Sequence, residues 1–411
     1  MKYYGLDVHK DFIQVCELSE DGKNKKEYKI DCTRENIEAF GESLSDDSHM
    51  VLEATFHSWA IYTILSSHVE RVVVANPLQV KAIAYAKIKT DKVDAHILAQ
   101  LLRTDFIPEV KMPREKCWEM RQLVTHRKFL SEQKRSIKAS IQSIFHRKLV
   151  HLPKGNLATQ RMQRIMMSYA FDQSERVIFE NLLDLMNQTE EKIKKVEDRM
   201  SEIGTEDMNI KLLMTIPGVS LTIATAFMSA IDNIDRFDSP DQLASYFGLV
   251  PRISQSGHKT YLGKITKSGR STVRWLAVEA AHNMAMNGGP MSGSFYKIKS
   301  KKGYNIAVVA LARKLVVLTW HILKKQEPYR YAPMISTREK LKKIRPDRKK
   351  SAYGKAPKTL NAVYEEAGIP VVKEIYSKGE KRAVANGKRL VTRLKPPRKK
   401  REPGVTILES S

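Results

Sequence analysis

The sequence predicts an α/β domain at the N-terminus, a long-helix segment in the middle and a mainly α-helical C-terminal region. Three observations predict it: strand and helix patterns alternate first, apolar residues then follow heptad spacing, and two apolar helix patterns finally meet at a Pro-Gly pair. We expect four segments, with these bounds: 1–110, 111–206, 207–326 and 327–411.

The N-terminal segment has the order βββαβαβα, which favours a mixed sheet covered by helices. The predicted strands are 3–8, 12–18, 26–32, 50–54 and 71–76, and the predicted helices are 36–44, 59–68 and 88–104. In the last helix we expect an apolar stripe of Val93, Ile97, Leu98 and Leu101.

The middle segment carries apolar residues at alternating spacings of three and four, which is the pattern of a coiled-coil seam. The seam consists of Phe179, Leu182, Met186, Thr189, Ile193, Val196, Met200 and Ile203. An earlier helix keeps a seven-residue spacing at Leu123, Leu130, Ile137 and Ile144. An antiparallel hairpin within the chain and a dimer interface are equally compatible with these patterns.

The C-terminal region begins with two apolar helix patterns joined by Pro217-Gly218, within Leu212–Ile231. This arrangement is typical of a helix-hairpin-helix element, whose glycine turn lets backbone N–H groups approach a DNA phosphate. A helical hairpin with no ligand has the same pattern. A basic, glycine-punctuated stretch follows, and we expect it to contact nucleic acid through Lys259, Lys264, Lys267, Arg270 and Arg274.

Charge points to the class of partner. Lys and Arg total 71 against 46 Asp and Glu, giving a formal net charge of +25. Such an excess predicts a polyanionic partner, and nucleic acid is favoured over an anionic membrane because the sequence has no basic amphipathic anchor with an aromatic face. We expect residues 327–411, rich in Lys, Arg, Pro and Gly, to form a loosely structured basic tail that binds nucleic acid.

Cellular location is indicated by the cysteines and the apolar runs. Three scattered cysteines predict neither a disulfide framework nor a zinc site and fit a reducing cytosol. The N-terminus has no signal-peptide pattern. The longest apolar run, 306–323, carries Arg313 and Lys314 in its middle, which predicts a buried helix rather than a membrane span. We therefore expect a cytoplasmic protein.

Four carboxylates of the N-terminal segment are candidate metal ligands. Asp7 lies within the first apolar strand and Glu53 at the end of the fourth, while Asp91 and Asp94 share one face of a helix. Such a set could hold two Mg²⁺ ions about 4 Å apart for phosphoryl transfer. Each also has a structural interpretation: Asp91 as a helix N-cap with Asp94 aiding the helix dipole, Glu53 as a surface residue, and Asp7 in a salt bridge with Lys10.

Ser256 stands in a basic, glycine-bearing loop, Gly248–Thr260. A turn and a nucleophile for a phosphodiester both fit this loop.

The chain resembles a known family in two blocks. "GLDVHKD", "VLEAT" and "KTDKVDA" resemble the Asp-Glu-Asp-Asp signature of transposases of the insertion sequence 110 family, which includes a 1111 subgroup. "IPGVSLTIATA", "RFDSPDQLASYFGLVPRISQSG" and "GKITKSGRSTVRWLAVEAA" resemble its C-terminal transposase domain. One departure is Phe56-His57, where the family usually has a glycine after "EAT".

The resemblance implies an RNase H-like, RuvC-like N-terminal fold in which the first and fourth strands are neighbours and the last helix brings Asp91 and Asp94 to Asp7 and Glu53. It implies Mg²⁺ bound by these four carboxylates and a nucleophilic serine at Ser256. It also implies a non-coding guide RNA encoded by the element, which pairs with target and donor DNA.

We therefore predict a DNA transposase and site-specific recombinase, acting on element ends and target DNA as a dimer or tetramer. Its Ser256 would form a transient phosphoserine link to DNA, assisted by the carboxylate metal site. Three alternatives stay open at this point. They are a metal-only nuclease of the Holliday-junction kind, an actin-like ATPase and a non-enzymatic nucleic-acid-binding protein.

Overall fold

The computed structural model describes residues 1–84, 90–257, 259–287, 289–344, 357 and 359–372. The chain divides into two compact units, Met1–Pro113 and Arg114–Ser411. The first unit carries a mixed α/β sheet and the second is largely helical, which confirms the general layout predicted from the sequence.

Within residues 1–84 and 90–113, the first unit contains five strands and four helices. The strands are β1 Lys2–Val8, β2 Phe12–Ser19, β3 Lys25–Asp31, β4 Ser48–Glu53 and β5 Arg71–Ala75. The helices are α1 Arg34–Glu42, α2 Ser58–Leu65, α3 Pro77–Ile83 and α4 Asp91–Arg103. Helix α3 is absent from the prediction, although Pro77 at its start and Asn76, whose side chain caps it, are common helix-start residues.

The strand order is β3-β2-β1-β4-β5. β1 pairs antiparallel with β2 and parallel with β4, so the first and fourth strands are neighbours, as the resemblance implies. β1 is buried in its middle, at Tyr4, Gly5 and Leu6, and this burial holds the end of the strand in a fixed place.

Helix α4 packs against β1 through small residues. Ala95, Leu98, Ala99 and Leu102 are its buried residues, so of the predicted stripe only Leu98 is fully buried. A Cβ on Gly5 would meet the carbonyl oxygen of Ala95 and lie 2.6 Å from the amide nitrogen of Ala99. The helix therefore approaches the strand too closely for larger side chains, and this closeness shifts the buried face from the predicted one.

The second unit begins with two long helices and the short helix between them: α5 Glu115–Arg147, α6 Gln160–Met167 and α7 Gln173–Glu206. α5 and α7 run antiparallel, since Glu119 pairs with Arg199 and Lys134 pairs with Glu190. The predicted seam of α7 is largely buried, at Phe179, Met186, Thr189, Ile193, Met200 and Ile203. Of the two arrangements left open, the hairpin within the chain is the one observed here.

The rest of the second unit is mainly helical. Its helices are α8 Met208–Met214, α9 Leu221–Ile231, α10 Pro240–Tyr246, α11 Ser271–Met286, α12 Pro290–Lys302, α13 Tyr304–Lys325, α14 Met334–Lys342 and α15 Leu360–Glu366, with a 3₁₀ turn at Ile234–Arg236. Two strands, β6 Pro251–Ser256 and β7 Lys259–Ile265, form a separate two-stranded sheet.

Helix α13 contains the long apolar run. By length and composition it is the one helix of the described residues that could cross a membrane. Leu311, Leu315 and Thr319 are buried within the second unit, which agrees with the predicted buried helix.

Two interpretations were left open for the Pro-Gly turn between α8 and α9, and its packing agrees with the helical hairpin without a ligand. Gly218 has φ +84°, and a Cβ there would meet the carbonyl oxygen of Ala280 and lie 3.1 Å from the nitrogen of Met284. The glycine therefore permits close packing against α11. Lys340 closes the turn from the other side, its Nζ donating to the carbonyls of Ile216 at 2.7 Å and Val219 at 3.1 Å.

The prediction of a loosely structured basic tail is wrong for the part of residues 327–411 that the structure describes. Helices α14 and α15 pack on the second unit, and Leu341, Leu360 and Tyr364 are buried in its core. The Tyr364 hydroxyl donates to the carbonyl of Tyr329 at 2.6 Å. Apolar residues interspersed among the charges supply this packing. Residues 345–356, 358 and 373–411 of the predicted tail lie outside the described residues.

Candidate active site

All four predicted carboxylates lie on elements that meet at one edge of the first sheet. Asp7 follows Leu6, which pairs with Leu52, and Glu53 follows Leu52 at the end of β4. Asp7 and Glu53 therefore stand at corresponding positions at the ends of two neighbouring parallel strands. Helix α4 begins at Asp91, and Asp94 lies in its first turn. The elements therefore converge on the carboxyl ends of β1 and β4, and Asp94 is near enough to act electrostatically on Asp7.

The closest grouping includes a residue that the sequence patterns did not single out, His9. Its Nε2 lies 3.1 Å from Oδ2 of Asp7 and 3.4 Å from Oδ1 of Asp91. One ligand atom from each of these three residues lies within 4.8 Å of the others. The signal in the sequence was the Asp-x-His spacing at a strand end, which turns both side chains toward one side.

Burial shapes the chemistry of Asp7. Desolvation raises the pKa of its carboxyl, the nearby His9 opposes that rise, and the charges of Asp94 and Asp91 add to it. A carboxylate that is partly withdrawn from water and crowded by other carboxylates favours a bound cation.

The alternative interpretation of Asp91 as the helix N-cap does not hold, although Asp91 and Asp94 do lie in the first turn of α4. The N-cap of α4 is Thr90, whose hydroxyl accepts from the amide of Val93 at 3.3 Å. Asp91 therefore does not cap the helix, and its carboxylate lies near His9.

The residues fit a divalent cation. Carboxylate oxygens are the preferred ligands of Mg²⁺ and Mn²⁺, whereas an imidazole nitrogen is a ligand typical of transition metals such as zinc and iron. His9 thus adds a nitrogen donor to the all-oxygen set that was expected. Beside the site, Phe56 is fully exposed in the loop after β4, at the departure noted in the sequence.

Ser256 lies in the second unit, at the end of β6. It pairs with Lys259 across a two-residue turn whose first residue, Gly257, has φ +56°. Both strands are exposed along nearly their whole length. The loop is therefore the tip of a two-stranded hairpin, and the serine hydroxyl is open to a large substrate.

The five predicted nucleic-acid-binding residues follow this tip along the chain. Lys259 and Lys264 are exposed on β7, Lys267 has φ +57°, Arg270 is the N-cap of α11 and Arg274 lies in its first turn. The Arg274 guanidinium donates to the carbonyl of Ser268 at 2.9 Å, which fixes the turn that leads into α11.

The structure thus brings the carboxylates together in the first unit and the serine with the basic residues in the second.

Comparison with known protein families shows which family the chain belongs to. Residues 4–148 match the DEDD transposase domain of IS110, described as Transposase. Residues 210–297 match the domain described as Transposase IS116/IS110/IS902 family. The chain belongs to the IS110 family of transposases. The first match contains all four carboxylates and His9, and the second contains Ser256 and the five basic residues.

Relatives of this IS110-family chain cover most of its length. The transposase for insertion sequence element IS1111A of Coxiella burnetii is 25% identical over 354 residues, covering 80% of this chain and 92% of the relative. The pilin gene-inverting protein of Moraxella bovis is 25% identical over 348 residues, covering 80% of this chain and 97% of the relative.

Family membership makes the chain an insertion-element transposase and supports a DNA-processing activity that uses a divalent metal.

Proposed function

We propose that this chain is a DNA recombinase of an insertion element, in which Ser256 attacks a phosphodiester and the carboxylate cluster holds the metal that assists it. The observation that carries the proposal is the convergence of Asp7, His9 and Asp91 within 4.8 Å in a chain of a transposase family. Phosphoryl transfer needs such a metal-binding edge and an anion-binding surface, and the chain has candidates for both.

The N-terminal unit is proposed to be an RNase H-like, RuvC-like domain. Support comes from the sheet order β3-β2-β1-β4-β5, with antiparallel pairing on one side of β1 and parallel pairing on the other. Asp7, Glu53, Asp91 and Asp94 are the proposed catalytic carboxylates of this domain. A bound Mg²⁺ would polarise the phosphate and stabilise the charge of the departing oxygen.

The chain's own residues have separable roles in the covalent step. The Oγ of Ser256 forms a bond to phosphorus and loses its proton to solvent or a nearby base, while the bond from phosphorus to the deoxyribose oxygen breaks and that oxygen leaves with a proton. Directly opposed residues of an antiparallel pair have Cβ atoms about 4.5–5.5 Å apart. Lys259, opposite Ser256, is therefore proposed to contact the phosphate as it is attacked.

The proposed partners are DNA at the element ends and target, a guide RNA encoded by the element, and further copies of this chain in a dimer or tetramer. Lys264, Lys267, Arg270 and Arg274 are proposed to hold phosphates beside Ser256. The seam of α7 packs within the chain, so an oligomer would need another surface. We expect the protein to act in the cytoplasm of a bacterial or archaeal cell, associated with the nucleoid.

The test is Ser256→Ala against Ser254→Ala, an exposed serine on the same strand and the same face. Purified full-length protein with its co-purified RNA is given Mg²⁺ and DNA carrying the element ends, and strand cleavage and protein–DNA links are read on denaturing gels. Ser256→Ala is expected to lose both products, and Ser254→Ala is expected to keep both.

Retained cleavage in Ser256→Ala would show attack by water, as in a metal-only nuclease. Unchanged activity in Asp7→Ala and Asp91→Ala would remove the metal site from the mechanism. Sequencing the co-purified RNA separates the guide-RNA part of the proposal, since random cellular RNA would contradict it.

A further inference from the structure

A cavity of about 270 Å³ lies within the second unit, between one face of α5 and the first turns of α9 and α11. None of its lining residues belongs to the carboxylate cluster, to the Ser256 hairpin or to the five basic residues named above. Its floor is apolar, because Val124 and Leu276 are buried. A cavity of roughly 150 Å³ holds a benzene ring, so this one has room for a nucleobase.

Trp275 forms one wall of the cavity and is 44% exposed. A large aromatic ring in that position offers a flat face to whatever enters. Nucleobases stack on such faces in a way that tolerates any base sequence.

The opposite wall is cationic, but its charges differ in how far they are already neutralised. The Arg127 guanidinium donates to Glu197 at 2.9 and 2.6 Å, and Lys128 lies 3.6 Å from Glu132. Among the described residues, no ion pair engages Arg135, which is exposed at the end of this face. Arg135 is therefore the cation of the wall that is available to a ligand.

A second positively charged site is formed by Arg270 and by Arg121, which lies about one turn before Val124 on α5. The Nε of Arg121 donates to the carbonyl of Ser229 at 2.7 Å, and burial, followed by the nearby charge of Arg270, lowers the pKa of the Arg121 guanidinium. Arg270 stands at the start of α11, which has no side-chain cap. Two neighbouring arginines and a helix start favour an anion between them.

We propose that this cavity binds one unpaired base of a single-stranded nucleic acid, with Trp275 stacking on the base and Arg121, Arg270 and Arg135 contacting phosphates along the same strand; Arg270 is also one of the five basic residues above, so its part in this inference rests on the proposed function. Arg121 and Arg135 are 14 positions apart on one helix, so their Cα atoms lie about 21 Å from each other along its axis. The strand therefore follows α5 over several nucleotides. A duplex does not fit, because its base faces are covered by their own neighbours.

The test measures binding of full-length protein to fluorescent oligonucleotides of one sequence as single-stranded RNA, single-stranded DNA and duplex DNA. EDTA is present, so no cleavage occurs and the outcome is independent of the Ser256 chemistry. Trp275→Ala is expected to weaken single-strand binding by at least about fivefold, which is the lower end for losing one stacked base. Trp275→Phe is expected to keep most of the affinity.

Phe129→Ala is the matched control, because Phe129 is 52% exposed on α5 and does not line the cavity. A 2-aminopurine base in the oligonucleotide is expected to be quenched by the wild type and by Phe129→Ala, and not by Trp275→Ala. Equal losses in both alanine variants, or an equal loss on duplex DNA, would overturn the base pocket.

The phosphate contacts are tested by salt dependence. Arg135→Gln is expected to reduce the slope of log K against log salt by about 0.7, the value for one phosphate of a single strand. Arg161→Gln, on the exposed side of α6, is the charge control and is expected to leave the slope unchanged. Equal slopes for all three proteins would remove Arg135 from the site. The RNA and DNA arms identify which single strand the pocket prefers.

Discussion

Asp7 stands at the end of a buried strand, where an ionised carboxyl is costly unless a cation or a hydrogen-bond partner lies beside it. In the protein alone that neighbour is His9, which also approaches Asp91. A metal ion would bring a larger positive charge to the same carboxylates and relieve their mutual repulsion. The placement of three side chains at hydrogen-bonding distances is therefore a reason to expect metal affinity before any reaction is considered.

The buried amine of Lys340 makes the free energy of unfolding depend on pH. Burial lowers the pKa of its amine to about 7 from an ordinary 10.5. Between these values the unfolded chain binds more protons than the folded one, so the free energy of unfolding rises with pH. The rise is at most about 1.4 kcal/mol per pH unit.

This rise is measured by urea unfolding at about pH 7.5 and about pH 9, comparing the wild type with Lys340→Met. The wild type is expected to gain more stability with pH than the variant. Lys325→Met, an exposed lysine at the end of α13, is the control and is expected to follow the wild type. Identical pH dependence in the wild type and Lys340→Met would contradict the role of the buried amine.

At the scale of elements, the contact between β1 and α4 connects packing to the site. Gly5 allows the helix to lie against the strand, and that helix carries Asp91 and Asp94. Any displacement of α4 from the sheet moves these carboxylates relative to Asp7.

Gly5→Ala is therefore expected to destabilise the first unit by about 1–3 kcal/mol, the usual cost of overpacking, and to weaken Mn²⁺ binding about tenfold or more. Thermal unfolding and titration calorimetry with Mn²⁺ measure the two effects. Gly293→Ala is the control, since a Cβ there meets no atom within 4 Å. Unchanged Mn²⁺ affinity in Gly5→Ala would show that the carboxylates do not depend on this contact.

Sequence periodicity predicted the elements that bury one face. The seam of α7 falls in that class, because burial of one face imposes a period of about 3.6 on a helix. The strands β1, β2, β4 and β5 were predicted instead from short apolar runs, since each has consecutive buried residues. The hairpin of β6 and β7 escaped prediction, since strands exposed on both faces carry no such period. The Asp residues were predictable as charges in apolar runs. His9 and the cavity beside Trp275 depend on which elements meet, and local patterns do not carry that information.

At the scale of the whole molecule, the second unit extends further along the chain than its composition suggests. Its core includes Tyr329, Leu341 and Tyr364 from a region dominated by lysine and arginine. A net charge of +25 is thus distributed over a folded surface as well as over the basic sequence near the end of the chain.

Tyr364→Ala is expected to destabilise the second unit by about 3–5 kcal/mol, because it removes a fully buried ring and its hydrogen bond to Tyr329. Ile335→Ala, on exposed α14 surface, is expected to change stability by less than about 0.5 kcal/mol. Chemical denaturation followed by tryptophan fluorescence compares them. A mild effect of Tyr364→Ala would mean that this region adds little to the fold.

The hairpin that carries Ser256 contributes almost nothing to either core, so the stability of the fold does not depend on the residue at its tip. An element copy that has lost this serine by mutation would still produce a stable protein with its nucleic-acid surfaces intact. If Ser256 has the role proposed above, we expect such a protein to compete with the active one for the same DNA. In a cell with many copies of the element, we therefore expect damaged copies to inhibit the active ones.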